Sequence, residues 1–249
     1  MPLPESVSAK LDHAKLHLDL LYTESSRYIG SNPGEMVSNP DGDPNNPTFI
    51  YRQRVPVPPR IGLLVGDCLQ NLRSAFDFLV WELVLVAGNV PAESHMFPVC
   101  TKESSFKAAK RGNRIAGIAV DAEALIKSLQ PYTHTDSAEH WLAILDKLAN
   151  INKHRRLLLT ALSGFSISGL LEGLEAITNG SGIATTSDII HNTEGAKILS
   201  AKQVKMQGDF LAFVAFNEGA VKDMEVGLVV ETYIGLVTTA LEAFGHFFV

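Results

Sequence analysis

Two polar clusters in this 249-residue chain combine residue types that can do chemistry. The first is Asp67, Asn71 and Ser74, at spacings of four and three, followed by Phe78 and Trp81. On a helix these positions fall on one stripe. A solvated stripe seldom carries Phe and Trp among small polar residues, so the face reads as a second contact surface beside the main apolar one. Its polar groups are then either hydrogen-bonded inside a bundle or dimer interface, or a set that binds a ligand. Arg73 and Asp77, four apart, read as a flank pair of the kind that ordinarily contributes little.

The second cluster is Asn150-Ile151-Asn152-Lys153-His154-Arg155-Arg156. A helical wheel places Asn152 and Arg156 near the apolar side set by Leu142 and Leu145, so these polar groups are expected to point at another element. Two explanations stand for the bases. They answer the negative end of a helix dipole, each contributing ~0.3–1 kcal/mol, or they hold an anion, with Asn150, Asn152, Lys153 and Arg155 among the contacts. A third basic group, Lys102, Lys107, Lys110, Arg111 and Arg114, has a single acid, Glu103, among its five bases. There Lys110 and Arg111 are candidate phosphate contacts on what also reads as a solvated loop.

Other chemistries find less support. His134, Asp136 and His140 resemble metal ligands in type, yet Asp136 and Glu139 also read as a D-x-x-E helix start, so no metal is expected. Gly164-Phe165-Ser166-Ile167-Ser168-Gly169 departs from the G-x-S-x-G nucleophile elbow because Ser168 stands at its last glycine. There is no G-x-x-x-x-G-K-[ST] loop and no G-x-G-x-x-G after a strand, so no cofactor is expected.

The elements that position these residues follow from periodicity. Val7, Leu11, Ala14, Leu18 and Leu21 predict a helix over Pro4–Ile29, stopped by Ser31-Asn32-Pro33-Gly34. Met36–Arg54, with turn residues from Asn39 to Pro44, predicts a hairpin. Val65, Leu69, Leu72, Phe76, Leu79 and Leu83 predict a long central helix over Ile61–Val86. A short helix is expected over Asp121–Leu129, ending before Pro131, and another from about Ser137 to about Arg156. Lys197–Met206 and Phe210–Phe216 read as strands, and Val229, Val230, Tyr233, Val237, Ala240, Leu241 and Phe244 as a final helix.

The fold class expected is therefore α+β, a helical bundle with an inserted β-hairpin and a small C-terminal antiparallel sheet. One domain is expected over 1–249, with a helical part (1–156), a β-rich part (157–226) and a C-terminal helix (227–249). With 46% hydrophobic residues, the chain can bury a sizeable core. Charged residues interrupt its apolar stretches before the ~20 residues a membrane span needs, and Lys10, Asp12 and Lys15 argue against a leader. Cys68 and Cys100 have no zinc or disulfide spacing, and a reducing cytoplasmic setting is expected. A net charge of -6 leaves room for local cationic patches only.

The segments Gly66-Asp67-Cys68-Leu69-Gln70-Asn71-Leu72-Arg73-Ser74-Ala75-Phe76-Asp77 and Asn150-Ile151-Asn152-Lys153-His154-Arg155, with Phe97-Pro98 and Gln130-Pro131-Tyr132, resemble an uncharacterised family of actinobacterial and related bacterial proteins. Its pattern is G-D-x-L-x-N-L-R-S-A-L-D-H, then F-P, Q-P-Y and N-I-D-K-H-R, and the resemblance runs from about Pro58 to Arg156. The family's Arg, four residues, His arrangement is in turn similar to that of the HEPN superfamily, helical-bundle proteins that include metal-independent RNases and nucleotide-binding partners. This resemblance implies RNA or a nucleotide as ligand, with Arg73 orienting phosphate. Phe78 stands where the superfamily's His would fall, and a phenyl ring transfers no proton. Either His154 supplies that role with Arg73 as its catalytic partner, or this chain binds without cleaving. The competing class is a non-catalytic interaction or scaffold protein whose polar clusters are structural. A homodimer through the Phe78 and Trp81 face is expected in either case, with no membrane partner.

Overall fold

The computed structural model describes residues 2–38, 49–165 and 210–248. It is an α+β structure with six α-helices and two two-stranded antiparallel sheets among the described residues. The helices are α1 (Glu5–Gly30), α2 (Pro59–Val86), α3 (Glu103–Arg111), α4 (Val120–Ser128), α5 (Trp141–His154) and α6 (Val226–Glu242). The strands β1 (Gly34–Ser38) and β2 (Phe49–Gln53) form one sheet; β3 (Leu159–Phe165) and β4 (Phe210–Phe216) form the other. The hairpin turn expected at Asn39–Pro44, the strand expected at Lys197–Met206 and most of the Gly164–Gly169 motif lie outside the described residues.

Contacts divide the chain into two compact units, each assembled from separated stretches. The first comprises Met1–Tyr22, Gly62–Leu157 and Gly227–Val249. Its core is built from the rows that periodicity picks out. Val7, Leu11, Ala14, Leu18 and Leu21 of α1 are buried, as are Val65, Leu69, Leu72, Phe76, Leu79 and Leu83 of α2. Removing each large aliphatic or aromatic side chain from water contributes ~1.5–3 kcal/mol, which is why a helix follows its apolar row rather than its local propensity. From α6 come Val229, Val230, Tyr233, Val237, Ala240 and Leu241, continued by Phe244 beyond the helix. The stretch Val226–Phe247, with a mean hydropathy of 1.4, is long and apolar enough by composition to cross a membrane. Here one side of it belongs to the core of this unit.

The second unit comprises Thr23–Ile61 and Leu158–Val226. Gln53, the last residue of β2, ties its parts together. Its Nε2 donates to the Tyr28 hydroxyl at 3.1 Å and to the Val55 carbonyl at 2.8 Å. Its Oε1 accepts from Thr160 Oγ1 at 3.0 Å and from the Ala161 amide at 3.2 Å. One carboxamide thus satisfies groups of α1, the hairpin's exit and β3.

Two elements differ from expectation. The basic stretch after Lys102 is helical, not a loop: Phe106 and Ala109 bury one side of α3 while its bases face outward. α5 begins at Trp141 rather than at about Ser137. Asp136 and Glu139 close a turn, with the Glu139 amide donating to the Asp136 carbonyl at 3.0 Å, and the cap is His140. Asp and Glu at this spacing suit a helix start in general. Here the imidazole of His140 satisfies the first-turn amide of Leu142, and the helix starts one residue after it.

Candidate functional site

Arg73 sits at mid-length of α2 and is only 9% exposed. Its Nε donates to Asp146 Oδ1 of α5 at 2.7 Å, one terminal nitrogen to Asp77 Oδ1 at 2.8 Å, and the other to the Phe97 carbonyl at 2.9 Å. Asp77 Oδ1 also accepts the Phe97 amide at 2.9 Å. Burial by itself would lower the Arg73 pKa; the charges and hydrogen bonds of Asp77 and Asp146 outweigh it, so the net direction is upward and the guanidinium stays charged. The Arg73–Asp77 pair is thus no loose surface pair. It is two sides of a three-way junction between α2, α5 and the segment entering Phe97-Pro98, with the guanidinium buried and both carboxylates half-exposed.

From that junction the polar chain runs outward along α5. Asp146 Oδ2 accepts from Asn150 Nδ2 at 3.0 Å. Beyond them an open groove of about 540 Å³ is lined by Ala143, Asp146, Lys147, Asn150, Ile151, His154 and Arg155. These positions repeat at helical spacing and form one face of α5. Lys147, Asn150, His154 and Arg155 are exposed, and Asp146 is half-buried. Arg155 NH1 donates to the Arg156 carbonyl at 3.2 Å, and Lys153 is exposed on the same final turn.

Asn152 points the other way, toward α2, as the wheel predicts, but Arg156, which the same wheel placed there, is exposed because the helix ends at His154. A Cβ placed on Gly66 of α2 would overlap the Asn152 carboxamide, so the Asn152 side chain uses the space that glycine leaves on α2.

The remaining expected residues are dispersed. Asp67 is exposed, and Asn71 Nδ2 donates at 2.9 Å to the Asp67 backbone carbonyl of its own helix. Ser74 Oγ accepts from Gln70 Nε2 at 3.2 Å. This stripe satisfies Asn71 and Ser74 within α2, and none of it lines the groove. Phe78 and Trp81 on the same stripe are 40% and 43% exposed, with the Lys10 ammonium 5.0 Å from the Phe78 ring centroid. Lys110 pairs with Glu123 of α4, and neither Lys110 nor Arg111 lines the groove.

Sequence reasoning missed Asp146, Lys147 and the Phe97 backbone. Asp146 stands four residues before Asn150 and Lys147 seven before His154, spacings that place them on the same face. The Phe97 carbonyl leaves no signal in side-chain identity. The thiols of Cys68 and Cys100 are free and buried, and burial, with the Asp67 charge adding to it, pushes the Cys68 pKa up to about 12. Neither is a nucleophile at neutral pH. Among the described residues, no group of three or more His, Cys, Asp or Glu side chains is placed to hold a metal.

Comparisons with protein-family models, with curated proteins and with solved structures find no match to this chain.

Proposed function

We propose that this protein is a divergent HEPN-like module that binds RNA through the exposed face of α5 and does not cleave it. The observation that carries the reading is the separation of Arg73 from His154. His154 lines the groove with Lys147, Asn150 and Arg155, whereas Arg73 lies behind Asp146 with three of its N–H groups given to protein acceptors. The groove is open to solvent along one helix face, a shape that suits an extended strand rather than an enclosed small ligand. Its cations suit phosphate, its amide suits a base edge or sugar, and Ala143 with Ile151 offers an apolar floor. The similarity of the Arg, four residues, His arrangement to that of the HEPN superfamily, of which this chain keeps Arg73, supports the same ligand class. In this reading the protein works as a homodimer in the reducing cytoplasm, with the exposed rings of Phe78 and Trp81 meeting a second copy.

The test is binding of a labelled single-stranded RNA followed by fluorescence anisotropy at several salt concentrations. Wild type is expected to bind at low salt with a log–log salt dependence, and Lys147→Ala to weaken binding and reduce the slope by ~0.7, the share of one phosphate contact on a single strand. No binding to RNA at low salt would overturn the reading and leave the scaffold class in its place.

A further inference from the structure

We infer that His140 is a pH-operated cap on α5, closed when its ring is neutral and opened when the ring takes a proton. His140 precedes the helix with extended backbone angles (φ -64°, ψ 133°), and its Nδ1 accepts the Leu142 amide at 3.3 Å. That geometry requires Nδ1 unprotonated, so the neutral ring carries its hydrogen on Nε2. Ser, Thr, Asp and Asn, the usual cap residues, keep their acceptor at all pH values near neutrality. Histidine does not.

The surroundings make the proton unwelcome in three ways. The ring of His134 stacks on that of His140 at 4.4 Å between centroids and 27° between planes, so a second imidazolium would face the first. The ring is half-buried and also lies 5.6 Å from Trp141, which packs at 6.3 Å on the buried Phe76. A cation there would meet the positive end of the α5 dipole and turn Nδ1–H against the Leu142 N–H. The remaining charged groups of the neighbouring segments offer little relief. Asp136 and Glu139 of the same loop are exposed, the first charges of α5 are Asp146 and Lys147, and Arg73 and Asp77 of α2 are paired with each other. Burial, and after it the charge of His134, hold His140 below the ordinary histidine pKa of 6.5.

The sign follows from linkage. A group whose folded pKa is depressed adds stability above its unfolded pKa, and that stability is lost as pH falls from about 6.5 through the folded value. Acidification therefore opens the cap and frees the turn carrying His134 to Glu139, whether or not the α5 groove binds RNA.

The experiment uses the full chain with Trp81→Phe, which leaves Trp141 as the one tryptophan, titrated from pH 8 to 4.5 by fluorescence alongside amide hydrogen exchange corrected for intrinsic rates. The Trp141 signal is expected to titrate with a midpoint below 6.5. The opening constant at the Leu142 amide should rise on the order of tenfold per pH unit in the window below 6.5. His140→Asn, which keeps a neutral acceptor at the cap, should abolish both effects while retaining the Leu142 protection seen at pH 7.5. His134→Gln should move the midpoint upward. Equal protection of Leu142 at pH 7.5 and 5, measured in wild type so that no variant's folding bears on it, would overturn the proposal. So would the same transition in His140→Asn.

Discussion

Arg73 Nε donates to Asp146 Oδ1 at 2.7 Å, and through this bond α2 grips α5. The bond is one of three that the buried guanidinium makes, each to a different part of the chain. A buried ion pair adds little net stability compared with an apolar replacement, but breaking one partner leaves uncompensated charge. The two carboxylates left by Arg73→Ala are 38% and 28% exposed and water can solvate them, so the variant is expected to cost less than a fully buried pair would, about 1–3 kcal/mol in urea denaturation. Arg73→Lys should fall between it and wild type, because an ammonium keeps the charge but loses the planar fork that reaches Asp77, Asp146 and Phe97 together. A midpoint for Arg73→Ala equal to that of wild type would show that the junction is not what holds α5.

The Asn152 carboxamide of α5 lies over Gly66 of α2, in the space a Cβ would take. Adding a methyl at Gly66 forces the Asn152 carboxamide out of place, and overpacking of this kind costs ~1–3 kcal/mol, offset by the ~0.5–1 kcal/mol that alanine gains over glycine inside a helix. Gly66→Ala should therefore destabilise by no more than about 2 kcal/mol. Combined with Asn152→Gly it should recover part of the loss, so that a double-mutant cycle gives a coupling of ~0.5–3 kcal/mol. Additive losses would mean that the two positions do not share the space.

Asn71 offers a contrast at a neighbouring position. Among the described residues its side chain bonds the Asp67 carbonyl one turn back and no other group, so Asn71→Ala is expected to change stability by no more than about 0.5 kcal/mol. A loss like that of Gly66→Ala would show an interhelical role for this amide.

The difference between Asn152 and Asn71 shows what could be read from one sequence. Helical periodicity located the core faces of α1, α2 and the last helix because burial of apolar rows dominates where a helix packs. It also turned Asn152 toward a neighbouring helix, since that position follows from Leu142 and Leu145 on the same wheel. Asn71 carried no such constraint: a carboxamide on a polar stripe can bond its own helix or another, and the sequence is the same in either case. The Arg73 junction was legible only in part, because Asp77 is local at four residues while Asp146 and the Phe97 carbonyl meet it through tertiary packing. The start of α5 was misplaced for a similar reason. Asp136 and Glu139 carry a general cap signature, and the cap that forms uses an imidazole, a side chain outside the usual cap set.

The exposed rings of Phe78 and Trp81 lead to an expectation about assembly. Two large aromatic side chains standing roughly two-fifths exposed on one helix stripe bury area readily against a copy of themselves. Light scattering at micromolar concentration should report a dimer, and Trp81→Ala should shift it toward monomer without lowering the helical content. A monomer in wild type would remove the dimer from the proposed function while leaving RNA binding to be judged separately.

The last expectation concerns cleavage. Phosphodiester cleavage by the ribose 2′ hydroxyl needs a proton carrier and a cation on the phosphate within reach of one another. His154 is exposed on the groove, but the buried cation Arg73 is held by Asp146, Asp77 and the Phe97 carbonyl at 2.7 to 2.9 Å. Wild type is therefore expected to leave single-stranded RNA intact over hours in EDTA, with the RNA recovered unchanged from the complex. His154→Ala should then alter affinity modestly, through one lost contact, and have no cleavage to abolish. Asp146→Asn supplies the sharper trial. Neutralising that carboxylate weakens its hold on Arg73, and if the groove is built for binding, the variant should bind RNA more tightly while still not cutting it. Metal-independent cleavage by wild type that disappears in His154→Ala would sink the non-catalytic reading and make His154 a proton carrier with a cation other than Arg73 beside it.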